Sequence, residues 1–228
     1  MADTLLGRTD EDGRLVLDDM RVSEDELRAV DRIYVVACGT AANAGRDKVT
    51  LIASPGMDDP IFGRTIIYLI EHGVEGTLGV MLNKPLDANV AELLEPWGRI
   101  LAPPHALFRG GPLSGDSGVA LAVAAPGRPL RDDEHVHNVE SRVYVVDLDT
   151  DPDSLSNAVE GVRIFAGYAS WAPGQLTAEL ARGDWIVALG LPSDVITERA
   201  GDLWAQVMRR QEAPLSLFST YPADPSLN

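Results

Sequence analysis

Cysteine is almost absent. The 228-residue chain has one, Cys38, which excludes an internal disulfide and any multi-cysteine zinc site and fits a reducing compartment. Basic residues are scarce as well: 19 Lys and Arg stand against 35 Asp and Glu, a net charge of −16. Such a surface repels phosphate backbones, because affinity for nucleic acid is built largely on Lys and Arg displacing counterions. Direct, non-specific DNA binding is therefore not expected. No stretch approaches the roughly 20 apolar residues that a membrane-spanning helix needs. The opening MADTLLGRTDEDGR lacks the basic start and apolar run of a signal peptide. These absences predict a cytoplasmic protein with no membrane attachment. Catalytic signatures are missing too: no HExxH zinc motif, GxSxG elbow or GxxxxGK[ST] phosphate loop occurs, and nothing implies a cofactor or a metal site.

What is present is a series of short apolar runs separated by turn signals. VTLIAS, TIIYLI and TLGVML are divided by GMDDP and EHGVEG and closed by NKP, the pattern of a β-rich core. PPHALF, GVALAVAA, RVYVVDLD and VRIFAGY supply further strands, and AELLEPW a short helix. Two amphipathic helices are predicted on the sheet. GQLTAELARG places Leu176 and Leu180 on one face with Gly183 as a stop, and DLWAQVMRRQ places Trp204 and Met208 on one face behind an Asp202 cap. Arg209 and Arg210 complement the negative end of that helix. The stretch Pro126 to Glu140 has neither period and is expected to be a surface loop. Near the start, Ser23 caps an acidic helical stretch. Ile33 to Ala37 then reads as a buried strand ending in a Cys38-Gly39-Thr40 turn, where α/β folds place ligand-contacting loops.

Several side chains have two readings. His72, after Glu71, is either a structural turn histidine or the partner of a carboxylate. His135 and His137 would face one side of an extended segment, as a weak metal site or as solvated loop residues; His105 has no visible partner. Gly110 and Gly111 beside Arg109 can present consecutive backbone N–H groups to an anion, or serve a turn that needs positive φ. Trp171 and Tyr168 flank a turn exposing the N–H groups of Gly174 and Gln175, either as a pocket wall or as core packing. Asp58, Asp59 and Arg64 bracket a turn and are expected to form a local ion pair.

Taken in order and spacing, LIASPGMDDPIFGRTIIYLIEH, GTLGVMLNKPL, RGGPLSGDSG, RIFAGYASWAPGQLTAEL, GDWIV and STYPADPSLN resemble the YqgE/AlgH family of bacterial proteins, from about Lys48 to Asn228. The resemblance implies an α/β (α+β) fold: a bent, branching sheet that closes partly into a barrel, with peripheral helices. It carries no catalytic residues, and its usual label, a transcriptional regulator, comes from a link to alginate production. Most positions that match are glycine, proline or aromatic. Among the matching positions, Arg64, His72, Asn83, Trp171 and Gln175 stand out as ligand contacts, beside the Arg109, Gly110 and Gly111 turn. Ser170 and Ala172 replace glycines usual in the family.

Residues 2 to 45 resemble something else: the linker and first isomerase strand of glutamine-dependent glucosamine-6-phosphate synthase, in which the Cys-Gly-Thr turn touches the sugar phosphate. Cys38, Gly39 and Thr40 match that turn, but the serine-rich phosphate loop and the later isomerase lysine and glutamate have no counterpart. Residues 1–46 are thus expected to be an isomerase-like appendage and residues 47–228 a YqgE/AlgH-like domain. The expected function is non-enzymatic: a regulatory or binding domain for a small anionic ligand or a protein partner. The alternatives are a sugar-phosphate enzyme or a hydrolase using His72 and nearby carboxylates.

Overall fold

Period-two burial decides which way each apolar run faces. Along Ile66–Gly73 (β2), Ile66 and Tyr68 enter one core while Ile67 and Leu69 enter another, as a pleated strand covered on both faces must. The computed structural model describes residues 49–89 and 95–221. Around β2, in chain order, stand Val49–Ala53 (β1), Gly76–Met81 (β3), Pro85–Asn89 (β4), a 3₁₀ turn at Glu95–Arg99, Ala106–Arg109 (β5), Leu113–Ala124 (β6), Val136–Glu140 (β7) and Val143–Val146 (β8). Then follow Pro152–Leu155 (α1), Val159–Trp171 (β9), Gln175–Ala181 (α2), Trp185–Leu189 (β10), Pro192–Val195 (α3), a 3₁₀ turn at Ala200–Asp202, Leu203–Arg209 (α4) and a 3₁₀ turn at Leu215–Thr220.

The sheet runs β10-β1-β2-β3-β9-β6-β8-β7, with each neighbouring pair on that path antiparallel. Strand β9 makes the branch. While β6 pairs along most of its length, β9 also meets Leu101 at Val162, then β5 in parallel at Phe165 and Ala166, then β3 from Ala169 to Trp171. The bend falls at Gly167, whose φ is +70° and where a Cβ would stand 2.3 Å from the Leu113 carbonyl oxygen; only glycine fits. Opposite it the register jumps between Leu113 and Gly118, and such an irregularity sharpens the local twist. The outcome is a mixed α+β fold in which a strongly curled, mainly antiparallel sheet forms a half-barrel with few helices.

One core fills the curl: Tyr68, Phe108, Leu121, Val123 and Phe165 from the strands, with Trp204, Val207 and Met208 of α4 packed against them. Each such side chain contributes about 1.5–3 kcal/mol on burial. Arg163 shares this interior at 1% exposure. Its guanidinium lies 4.2 Å from the Phe108 ring centroid and donates to the carbonyls of Thr197 (3.0 Å) and Pro103 (2.5 Å). Burial brings its pKa down to about 10.

Three local expectations are corrected. The end of the stretch read as a loop is a strand, because Val136–Glu140 pairs with β8; the sequence hid it among charged residues that face solvent. Of AELLEPW, the first four residues lie outside the described residues, and Glu95 to Trp97 begin a 3₁₀ turn that runs to Arg99. Asp202 makes no side-chain cap and instead binds Arg199. Asp59 accepts the N–H groups of Ile61 and Phe62 at 2.8 Å, while Arg64 turns elsewhere, so the Asp58–Asp59–Arg64 ion pair does not form. The helices at Leu176 and Trp204 stand as expected, with Gly183 at φ +78° after the first. Ser23, the strand read at Ile33 to Ala37, and Cys38, Gly39 and Thr40 lie outside the described residues.

Candidate functional site

Three sequence segments converge at one end of the sheet. Arg64 immediately precedes β2, Asn83 and Lys84 join β3 to β4, and Arg109 ends β5. Asn83, 8% exposed, fastens the first two segments: its Oδ1 accepts the Ile66 N–H at 2.9 Å and its Nδ2 donates to the Arg64 carbonyl at 2.8 Å. The Arg109 N–H donates to the Lys84 carbonyl at 2.8 Å, which ties the third. Arg64 is held at φ +53°, a left-handed conformation that costs a non-glycine residue about 1–2 kcal/mol. That strain is sustained by the Asn83 clamp, and it aims the side chain.

The Arg64 guanidinium sits 4.1 Å from the Trp204 ring centroid, and Nη1 donates to the Tyr221 carbonyl at 2.8 Å. Lys84 Nζ donates to the Gly63 carbonyl at 2.9 Å. Burial, then the charge of Arg109, then that of Arg64, hold the Lys84 ammonium below the usual lysine range. Arg64, too, is lowered by burial. Lys84 therefore lies close enough to Arg109 and to Arg64 to feel the like charge of each. Among the described residues no Asp or Glu forms an ion pair with any of them, whereas Arg99, Arg142, Arg182, Arg199 and Arg210 each have a carboxylate. Gathered like charges answered, among the described residues, by neutral carbonyls and an aromatic ring present a site for an anion.

The other sequence candidates fall in different places. Trp171 and Gln175 belong to a second cluster, centred on Glu179. Its Oε2 accepts the indole N–H of Trp171 and of Trp185, both at 2.8 Å, and its Oε1 accepts Gln175 Nε2 at 3.0 Å. Although partial burial opposes it, these three donors keep the Glu179 carboxyl below its ordinary pKa. Gln175 Oε1 takes the Ala172 N–H at 3.1 Å, and Trp185 stacks edge-on with both Phe62 and Trp171. Every polar group there is answered, and the cluster pins α2 to the sheet. His72 Nδ1 lies 2.5 Å from Thr77 Oγ1 and has no carboxylate ion pair among the described residues. His135 approaches Asp147 and Glu134 at 3.6 Å, His137 approaches Asp132 at 3.5 Å, and all are exposed. No group of three or more His, Cys, Asp or Glu able to hold a metal occurs among the described residues.

Gly110 and Gly111 adjoin the cationic site but do not form the N–H concavity. Gly110 N–H is spent on the Ala166 carbonyl at 2.8 Å. A Cβ on Gly110 would lie 2.0 Å from the Gly167 carbonyl oxygen, and one on Gly111 2.1 Å from that of Tyr168. The two glycines allow β5 to run against β9, so the glycine signal reports close backbone packing. Sequence reasoning missed Lys84, concealed in a short turn motif, and Trp185 with Glu179 as the centre of the second cluster.

The fold and this motif set recur in known proteins. The profile described as "DUF179: AlgH-like" matches residues 50–216. The chain belongs to the AlgH-like family. Among AlgH-like relatives, a UPF0301 protein of Mycolicibacterium smegmatis is 45% identical over 188 residues, covering 82% of this chain and 94% of the relative. One from Mycobacterium avium is 46% identical over 195 residues, 86% of this chain and 96% of the relative. A crystal structure of a Corynebacterium diphtheriae protein superposes with a TM-score of 0.73 at 40% identity, over 78% of this chain and 94% of that one. The solution structure of the AlgH protein from Pseudomonas aeruginosa gives 0.57 at 27% identity, over 77% and 93%. None of these names carries an activity or a ligand. No helix of the described residues is long and apolar enough to cross a membrane.

Proposed function

We propose that this AlgH-like chain acts by binding rather than turnover, and that Arg64, Lys84 and Arg109 hold a small anionic ligand. The observation that carries the reading is a half-buried lysine under the like charges of Arg109 and Arg64, none of the three ion-paired with a described carboxylate, in a chain of net charge −16. The pairs at Arg99, Arg182 and Arg199 are exposed contacts worth about 0–1 kcal/mol, and Arg210 is answered by the buried Asp194; this cluster instead raises the free energy of the empty state, and an anion relieves it. Any regulatory role would be indirect, exerted through ligand occupancy, since the overall charge disfavours a nucleic-acid polymer. The alternatives of a hydrolase and a sugar-phosphate enzyme gain little: His72 bonds to a hydroxyl that is itself only 6% exposed. Residues 1–46 are read as an appendage to the binding domain.

Thermal unfolding of the purified chain against inorganic pyrophosphate, sulfate and hexose phosphates tests this. An anion at 100 times its dissociation constant should stabilise by about 2.7 kcal/mol, and Lys84→Met should abolish the shift. A shift that persists in Lys84→Met, or no shift with any anion, contradicts the reading. A shift confined to hexose phosphates and lost on deleting residues 1–46 would favour the sugar-phosphate alternative.

A further inference from the structure

The cationic site has an aromatic neighbour. Arg64 Nη1 is bonded to the carbonyl of Tyr221, so the backbone of that residue meets the cluster, and the residue is 44% exposed. Phe218 packs against it edge-on, with centroids 6.4 Å apart, and is 37% exposed. Leu217, one residue before, is 71% exposed. A large apolar side chain left in water is unremarkable when it stands alone. Three of them, in and just after the turn at Leu215–Thr220, make an aromatic and apolar ledge on the segment whose carbonyl Arg64 holds.

Resting on the anion-site reading above, we infer that the ligand is a nucleoside phosphate, with its phosphates on Arg64, Lys84 and Arg109 and its base on the Phe218–Tyr221 ledge. A base offers a flat π-face to an aromatic ring, and the planar guanidinium forks of Arg64 and Arg109 match phosphate oxygens. Three cations suit a di- or triphosphate better than a single carboxylate. A mononucleotide also escapes the penalty that excludes a polymer. Charges farther than about 10 Å are largely screened at 0.1 M salt, so a small ligand responds to the local cations, whereas DNA or RNA would span the acidic surface. The ledge sits on the last turn packed against α4, and the same helix supplies the Trp204 ring under Arg64. Base and phosphate subsites thus share one support.

Calorimetric titration of the full chain with ADP, inorganic pyrophosphate and adenosine separates the two levels. ADP is expected to bind at least tenfold tighter than pyrophosphate, the scale of one stacked base. Phe218→Ala and Tyr221→Ala should each bring ADP down towards the pyrophosphate value while leaving pyrophosphate within twofold. Tyr221→Ala keeps the carbonyl that Arg64 holds, so it reports on the ring even if Phe218→Ala perturbs packing. Equal binding of ADP and pyrophosphate, unchanged in both variants, overturns the nucleoside inference and leaves the anion site standing. Binding of neither overturns both. Adenosine binding as tightly as ADP would place recognition on the ledge alone and contradict the phosphate assignment.

Discussion

Two polar clusters stand in this half-barrel, and they are built on opposite principles. Around Glu179, one carboxylate meets two indoles and an amide, and the amide oxygen meets a backbone N–H. Around Lys84, the partners that the three cations' side chains meet among the described residues are two neutral carbonyls and the Trp204 ring. The first cluster is complete without anything from outside. The second is not, and it is kept in place by a buried asparagine and a strained backbone at Arg64. A polar group satisfied within the fold explains the fold; like charges assembled at a conformational cost invite a ligand.

The largest effect that would sharpen the contrast is on stability. Trp185→Ala should remove about 3–5 kcal/mol, because Trp185 is 4% exposed and stacks on Phe62 and Trp171; chemical denaturation reads it, with anion affinity unchanged. Next, Gly111→Ala should destabilise by about 1–3 kcal/mol by driving a Cβ into the Tyr168 carbonyl, whereas a real anion nest would tolerate the change. Glu179→Gln should lower stability by about 1–2 kcal/mol, since a neutral amide accepts the two indole donors less strongly. Lys84→Met reverses the pattern: anion affinity should fall at least tenfold while the melting temperature holds or rises, because a half-buried, repelled charge has been removed.

The smallest effect is a pH slope. The folded chain holds the Lys84 pKa below its ordinary value of 10.5, and a bound anion pushes it back up. Between the lowered value and 10.5, binding therefore takes up a proton and affinity falls as pH rises. In the same window the unfolded chain binds that proton more tightly, so the ligand-free protein becomes more stable with rising pH. Lys84→Arg should flatten the affinity slope, which a titration series at alkaline pH would show.

The sequence makes the sheet legible because period two survives in runs such as Ile66–Leu69 and Leu121–Val123, where apolar residues fill both faces. It conceals β7, which follows a charged run and faces His137 and Asn138 outward, and the branch at Gly167, which depends on contacts between distant strands. Arg109 could be singled out beside a glycine pair, and Arg64 and Asn83 through the motifs shared with the family. Their convergence could not, because it is made by β3, β4 and β5 meeting across β9. Lys84 was invisible for a related reason: a lysine in a turn is ordinary until two arginines are found beside it. Gly110 and Gly111 taught the reverse, as a glycine pair that reads as a ligand loop serves backbone packing.

The most direct test is to compare two exposed arginines. Arg109 belongs to the cluster that lacks a counter-ion among the described residues, and Arg182 is paired with Asp184 at 2.7 Å. Isothermal titration with inorganic tripolyphosphate at low salt should show one site, weakened at least tenfold by Arg109→Ala and unchanged by Arg182→Ala. Equal losses in the two variants, or binding that survives Arg109→Ala, would mean that the anion sees only general surface charge and that the cationic cluster is not the site.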